Sequence, residues 1–199
     1  METARRVFEA ANVLGAKYVR MFSFYASVGK EITEMRGEVL DALEKLVLLA
    51  HSHGVTLCHE NEAKIYGDTP ERCRDLLDYF GGELKCVFDM GNFVLENVEP
   101  YAAYELLKKD IAYFHIKDGT EDGVIVPAGM GNAKIQEILA EFRADNDIFV
   151  SLEPHLAGFV GLGALTATQL KHNCHFDSPE QAFSFQAEAV KEILRRIGK

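Results

Sequence analysis

Several features that identify common protein classes are missing from this 199-residue sequence. No apolar run approaches the ~18 residues that a membrane-spanning helix needs, and the N-terminal segment METARRVFEAA lacks the hydrophobic region of a signal peptide. Lysine and arginine form no cluster, and the net charge is −10 with histidine neutral. Nucleic-acid-binding proteins usually carry a basic surface. We therefore expect a cytoplasmic protein with no membrane or nucleic-acid partner.

Paired cysteines and a dinucleotide-binding motif are missing as well. The cysteines are Cys58, Cys73, Cys86 and Cys174. None belongs to a C-x-x-C pair and two lie in predicted strands, so buried free thiols are expected rather than disulfides. No G-x-G-x-x-G follows the first predicted strand, which disfavours a dinucleotide-binding fold.

What is present is a regular alternation of helical and strand-like segments. The predicted strands are KYVRMFSF, VTLCHE, LKCVFD, AYFHIKD and FVSLEPH, and amphipathic helices separate them. This order predicts a parallel sheet with right-handed crossovers, either as a doubly wound open sheet or as a (β/α) barrel. No linker or change of composition interrupts it, so we predict a single domain over residues 1–199.

Four successive predicted strands end on a possible metal ligand. These residues are Glu60, Asp89, His115 and Glu153. Their separations of 29, 26 and 38 residues are close to the ~31 residues of one βα unit in a barrel. The carboxyl ends of barrel strands converge on one mouth, where that fold carries its chemistry. A single such residue is usually solvated, but four in register favour one shared site.

Three carboxylates and one imidazole make a hard donor set, composed mostly of oxygen. Such a set suits one divalent ion, for which Mn²⁺, Mg²⁺, Co²⁺ and Zn²⁺ are the candidates. Lys117 lies two residues beyond His115 and is predicted to point into the same mouth, where it would hold a hydroxyl or a phosphate. His155 shares the orientation of Glu153 and is a further candidate for substrate binding. Asp118 faces the other way and is expected to cap the following turn.

The motifs HENE, FDMGN, FHIKDG with the downstream VPAGMGN, and SLEPH resemble those of a known family. It is the sugar phosphate isomerase/epimerase family of the xylose isomerase-like superfamily, whose members are TIM barrels. The resemblance covers nearly the whole chain. It implies an α/β fold of the (β/α) TIM-barrel type, incomplete here, with about five parallel strands that match the fourth to eighth of the family barrel.

The resemblance also implies a site and a reaction. Glu60, Asp89, His115 and Glu153 would bind one divalent metal ion. The enzyme would isomerise or epimerise a small sugar, sugar phosphate or related hydroxy-ketone by proton transfer through a metal-bound enediolate. Glu60 and Glu153 would be the catalytic residues that remove and return the proton at carbon. Asn61 would support Glu60.

The sequence departs from the family pattern at two places. Asn92 stands where members usually have histidine. Its side chain can hydrogen-bond a sugar hydroxyl, so we predict that it binds substrate. Asparagine is, however, a poor metal ligand. Segments matching the first three barrel strands are absent. An open sheet would leave exposed edges, so we expect a homo-oligomer that covers the open side.

Several alternatives remain open at this level. One is an inosose-type dehydratase, which would use the same metal and carboxylates. Others are an inactive barrel fragment and, less favoured by charge and histidine content, a phosphodiesterase like the apurinic endonucleases. Residues 157–174 are interpreted either as a flap over the mouth or as a packing loop, and Pro127–Gly131 is expected near the substrate.

Overall fold

The structure is a computed structural model that describes residues 1–142, 149–157 and 171–199. The helices are α1 (Glu2–Leu14), α2 (Arg36–Ser52), α3 (Pro70–Phe80), α4 (Met90–Leu95), α5 (Pro100–Leu107), α6 (Ile135–Glu141) and α7 (Pro179–Arg196). The strands are β1 (Tyr18–Met21), β2 (Thr56–Glu60), β3 (Leu84–Asp89), β4 (Ile111–Ile116), β5 (Asp118–Gly119), β6 (Val124–Val126), β7 (Val150–Leu152) and β8 (Lys171–His172). Most of the segment interpreted as a flap or packing loop lies outside the described residues.

The chain divides into two compact units, described here in turn. The first contains Met1–Phe88 and Leu106–Ala112, and the second Asp89–Glu105 and Tyr113–Lys199. In the first unit β1, β2 and β3 are neighbours in that order and run parallel, and the backbone before β4 bonds to β3. In the second unit the remainder of β4 pairs in parallel with β7, and β5, β6 and β8 form a small sheet. The single domain over residues 1–199 stays a prediction.

Local sequence explains where the third helix begins and ends. The side chain of Thr69 accepts a hydrogen bond from the backbone N–H of Arg72, and Pro70 occupies the first helical position, where a missing N–H costs nothing. Gly81 ends the helix with φ 55°, a left-handed conformation that glycine adopts without steric cost. Residues next to the helix in the sequence therefore set both of its ends.

Strands β2 and β3 are mostly buried on both faces, as parallel strands covered by helices are, whereas β1 alternates between exposed and partly buried residues. Along β2, Leu57, Cys58, His59 and Glu60 are all buried. All four cysteines of the chain are free, and three are buried, which confirms the prediction of buried thiols. Burial raises the pKa of the Cys58 thiol to about 12, so this thiol is an unreactive part of the core.

Two elements were not predicted. Helix α4 begins directly after β3, although Gly91 and Asn92 in its first turn are weak helix formers; Asp89 caps it by accepting a hydrogen bond from Asn92 N–H at 2.8 Å. The small sheet of β5, β6 and β8 has strands of two or three residues, too short for a periodic pattern. Strand β1 also ends earlier than predicted, at Met21.

Among the described residues, no helix combines the length and apolar character needed to cross a membrane.

His59 is expected to make the fold sensitive to acid. Its ring is buried, and within the described part of the chain no donor or acceptor pairs with Nε2. Burial lowers the pKa of His59 from 6.5 to about 4. Because the unfolded chain takes up the proton first, stability is full above pH 6.5 and falls as the pH drops toward 4. The free energy of unfolding should decrease by about 2 kcal/mol between pH 7 and pH 5 through this residue alone.

Urea unfolding at the two pH values measures this contribution. His59→Leu cannot take up a proton, so its free energy of unfolding should decrease less than that of the wild type. His51→Gln, at an exposed histidine, should behave as the wild type does. An equal pH dependence in the wild type and His59→Leu would contradict the prediction.

Candidate functional site

Asp89, at the end of β3, has two carboxylate oxygens in different environments. Oδ1 accepts the capping hydrogen bond from Asn92 N–H described above. Oδ2 lies 4.0 Å from Nδ1 of His115 and 3.3 Å from Nζ of Lys117. The carboxylate is fully buried, so a strand end and a helix start together hold one of its oxygens toward the side chains of the neighbouring strand.

Strand β4 supplies the next two groups. His115 is the fifth residue of this strand, and Lys117 follows it with the same orientation, since side chains alternate along a strand. Nδ1 of His115 lies 3.4 Å from Oε2 of Glu153. The side chains of His115 and Lys117 are both buried, and only 2% of Lys117 is exposed. The structure places Nζ of Lys117 beside the carboxylates of Asp89 and Glu153; that it points into the barrel mouth and holds a substrate hydroxyl or phosphate stays a prediction.

Glu153 follows β7, where its backbone N–H bonds to the carbonyl of Ile116 at 3.2 Å. Burial alone raises the pKa of its carboxyl group. Hydrogen bonds from His115 and His155, followed by the charge of Lys117, outweigh burial and hold the pKa of Glu153 well below its usual value. Glu153 is thus an ionised acceptor at neutral pH.

His155 lies next to this carboxylate in the segment that follows β7. Its backbone has φ 48°, a left-handed conformation that is uncommon for residues other than glycine. Nε2 of its ring lies 3.4 Å from Oε1 of Glu153. The structure therefore brings His155 to Glu153, as its position in the sequence indicates.

Glu60 and Asn61 belong to the first unit. Glu60 ends β2 and is fully buried, and Arg20 of β1 donates a hydrogen bond to its Oε2 at 2.7 Å. The guanidinium of Arg20 also lies 4.6 Å from the ring centre of Phe22. Asn61 is buried beside Glu60 in the sequence. Sequence reasoning missed Arg20, for which the available signal was a charged residue in the middle of an apolar strand.

Asp118 faces away from Lys117 and organises a loop. Its carboxylate accepts hydrogen bonds from the backbone N–H groups of Gly119, Gly129, Gly131 and Ala133, at 2.8–3.0 Å. Burial raises the pKa of Asp118, and these four hydrogen bonds lower it in part. The expectation that Asp118 caps the following turn is too narrow, because three of the four donors lie 11 to 15 residues further along the chain.

Gly91 and Gly131 leave the space that the side chains of Lys117 and Asp118 occupy. A Cβ on Gly91 would lie 2.7 Å from Cβ and Cγ of Lys117, and one on Gly131 would lie 2.3 Å from Oδ1 of Asp118. Real Cβ atoms do not approach other atoms so closely. The glycines of the FDMGN and PAGMG motifs therefore provide space for the lysine and the aspartate of HIKD.

The donor set in the second unit fits a divalent ion. Asp89, His115 and Glu153 each offer one ligand atom, and these atoms lie within 4.8 Å of one another. Two carboxylate oxygens and an imidazole nitrogen form a set that Mn²⁺, Co²⁺ and Zn²⁺ accept readily, and carboxylates also suit Mg²⁺. The geometry supports metal binding, with the ammonium of Lys117 already beside both carboxylates.

The sequence profile of the xylose isomerase-like TIM barrel family matches residues 1–195. The chain belongs to this family. Its fold is accordingly of the (β/α) TIM-barrel type, with five parallel strands, β1, β2, β3, β4 and β7, among the described residues. The predicted family and fold class are both confirmed.

Solved structures of similar fold include sugar epimerases and a dehydratase. L-ribulose 3-epimerase aligns with a TM-score of 0.73 and 18% identity over 98% of this chain and 67% of its own. The probable 3-DHS dehydratase AsbF from Bacillus anthracis aligns with a TM-score of 0.67 and 21% identity over 76% of this chain and 62% of its own. The IOLI protein with a binding zinc atom aligns with a TM-score of 0.72 and 19% identity over 98% and 69%.

At such identities the similarity shows a shared fold and not a shared activity. The present chain spans about two thirds of the length of these structures. A comparison with proteins of curated function found no match. The residues that bind metal and substrate, and the reaction itself, are therefore matters for a proposal.

Proposed function

We propose that this protein is a divalent-metal-dependent isomerase or epimerase of a small sugar, sugar phosphate or related hydroxy-ketone. The observation that carries this proposal is the grouping of Asp89, His115 and Glu153 at the ends of three successive strands of the family barrel. A site of this composition suits a reaction in which a proton moves at a carbon beside a carbonyl. The epimerases among proteins of the same fold support this choice of reaction.

Glu60 is proposed as the fourth ligand. In the register of β2 and β3, Glu60 is paired with Val87, and paired residues on parallel strands project from the same face. Asp89 lies two residues after Val87 and so has the same orientation. Arg20 then has a role as the residue that fixes the Glu60 carboxylate. When bound to the four residues, a divalent ion would act as a Lewis acid that stabilises negative charge on substrate oxygens.

Glu153 and Glu60 are proposed to exchange the proton with carbon. A base must be ionised to accept a proton, and the contacts that lower the pKa of Glu153 keep it so. Lys117 and Asn92, joined by a 2.8 Å hydrogen bond, are proposed to orient substrate hydroxyl or phosphate oxygens. His155 would fix the second oxygen of Glu153, and Asn61 would support Glu60.

The test is a panel of ketoses and their phosphates, incubated in D₂O with the metal-loaded protein. We expect a product of the same composition as the substrate, with deuterium entering beside the carbonyl carbon. A product lighter by one water would instead identify the dehydratase, a second candidate supported by the fold similarity to a probable dehydratase. If no compound is turned over and none exchanges deuterium, both activities are contradicted.

We also propose self-association through exposed apolar residues of the first unit. Strand β1 pairs with β2 alone in the described part of the chain. The exposed apolar side chains near it in the sequence include Val13, Leu14, Tyr18, Phe24, Tyr25 and Val28. We expect sedimentation velocity to show a dimer or larger species that Leu14→Lys weakens, while Phe183→Lys, at an exposed residue of the second unit, does not. A monomeric wild type at high concentration would contradict the proposal.

A further inference from the structure

The ammonium group of Lys117 lies inside the cluster of predicted metal ligands. Its Nζ is 3.3 Å from Oδ2 of Asp89 and 3.5 Å from Oε2 of Glu153, and it donates a hydrogen bond to Oδ1 of Asn92 at 2.8 Å. Only 2% of the residue is exposed. A lysine is almost never buried to this extent without a negatively charged partner, and here two carboxylates share that role.

The two oxygens that face the lysine are the same two that face the histidine. Oδ2 of Asp89 and Oε2 of Glu153 lie 4.0 and 3.4 Å from Nδ1 of His115. A divalent ion held by these three residues would draw on those oxygen atoms. The ammonium therefore occupies the electrostatic position that the ion would take, and the two cations compete for the same negative charge.

The surrounding residues build the lysine into this position. The first turn of α4 packs against its side chain, and the close approach of Gly91 leaves no room for a Cβ at that point. Asn92, in the same turn, accepts the hydrogen bond from Nζ. Both contacts come from the helix that Asp89 caps, so the helix that positions one carboxylate also directs the lysine toward it.

We propose that Lys117 is an internal counter-ion that a divalent metal ion must displace from Asp89 and Glu153 in order to bind. This inference rests on the metal site of the proposed function. Two carboxylates and one ammonium carry a net charge of −1, whereas the carboxylates alone would carry −2. The lysine thus stabilises the metal-free protein by neutralising buried like charges, and it lowers the affinity for the metal because it repels the ion at short range.

Competition between Lys117 and the metal ion predicts opposite changes in the stability of the metal-free protein and in its affinity for the metal. Lys117→Gln keeps a side chain that can hydrogen-bond to Asn92 but removes the positive charge. We expect the metal-free variant to have a lower free energy of unfolding than the wild type, and its affinity for Mn²⁺ or Zn²⁺ to rise roughly tenfold or more. If Lys117 had only a packing role, its replacement would lower the free energy of unfolding and leave the affinity for the metal unchanged or reduced.

Isothermal titration with Mn²⁺ and with Zn²⁺ measures the affinity, and urea unfolding in EDTA measures the stability. Lys134→Gln is the matched control, because Lys134 is an exposed lysine of the same unit; both quantities should match those of the wild type. Asn92→Leu serves as a second variant that retains the lysine but removes one acceptor that holds it. Its affinity should rise as well, by a smaller factor.

Each outcome of the titrations bears on the inference. Tighter binding in Lys117→Gln, with a less stable metal-free state, supports it. Equal or weaker binding in Lys117→Gln and Asn92→Leu overturns the counter-ion role and leaves the metal site intact. No binding by the wild type or by any variant would overturn this inference and the proposed metal-dependent function together.

Discussion

Replacing Glu153 with glutamine is expected to lower the affinity for a divalent ion by more than about 100-fold, since changes at residues that merely support metal ligands already cost 10–100-fold. Its Oε2 lies 3.4 Å from Nδ1 of His115 and 3.5 Å from Nζ of Lys117, so the variant removes one of the two carboxylates that face both groups; Asp89 is the other. Where a substrate is turned over, kcat should fall by about 10²–10⁴-fold, the usual contribution of a general base.

Elemental analysis of the purified protein and titration with Mn²⁺ measure the first effect, and the D₂O assay measures the second. Glu121→Gln is the matched control, because Glu121 is an exposed glutamate of the same unit. Circular dichroism confirms that the variant is folded. Retention of one metal equivalent with unchanged affinity in Glu153→Gln would show that Glu153 is not a ligand.

Replacing Asp118 with alanine should have the largest effect on stability, about 3–5 kcal/mol lost from the free energy of unfolding. The carboxylate is buried and accepts hydrogen bonds from four backbone N–H groups. Each hydrogen bond to a charged acceptor contributes about 1.5–3 kcal/mol, and buried donors left without a partner cost more. Water that reaches the exposed Gly129 offsets part of the loss.

Urea unfolding of Asp118→Ala and of Asp122→Ala tests this directly. Asp122 is an exposed aspartate in the turn before β6, so its removal should change the stability by less than about 0.5 kcal/mol. Asp118→Asn should be intermediate, because its amide nitrogen cannot accept the two hydrogen bonds that Oδ2 accepts from Gly129 and Gly131. A loss below about 1 kcal/mol in Asp118→Ala would mean that the loop does not depend on this carboxylate.

The role of Asp118 could be predicted from the sequence only in part. Its position after β4 indicates a cap, since aspartate at a strand end commonly accepts nearby backbone hydrogen bonds. The loop that it holds follows a turn and another strand, and nothing local links its glycines to Asp118. The clash of a Cβ on Gly131 with Oδ1 of Asp118 becomes visible only once the two segments are brought together.

Helix α4 was missed for a related reason. The segment MGNFVL contains a glycine and an asparagine in its first turn, so intrinsic propensity argues against a helix. Asp89 caps this helix through a local hydrogen bond to Asn92, three residues away, whereas the packing of the turn on Lys117 comes from the tertiary structure. Tertiary packing outweighs a propensity difference of about 1 kcal/mol per residue, which explains the error.

The sequence by itself determined the family, the alternation of strands and helices, and the chemical types found at the strand ends. These features are readable because strand ends follow a local pattern, in which an apolar run stops at a carboxylate or an imidazole. Asp89, His115 and Glu153 were identified in this way, and the structure brings them within 4.8 Å of one another.

Only the tertiary structure decided how these groups are charged and held. Arg20 reaches Glu60 across 40 residues of sequence, and Lys117 reaches Asn92 across 25. An ion pair depends on distance and burial, because attraction between charges weakens with separation and with solvent, and neither quantity is encoded in local spacing. The placement of a buried ammonium between two carboxylates therefore follows from packing, and no single motif of the sequence specifies it.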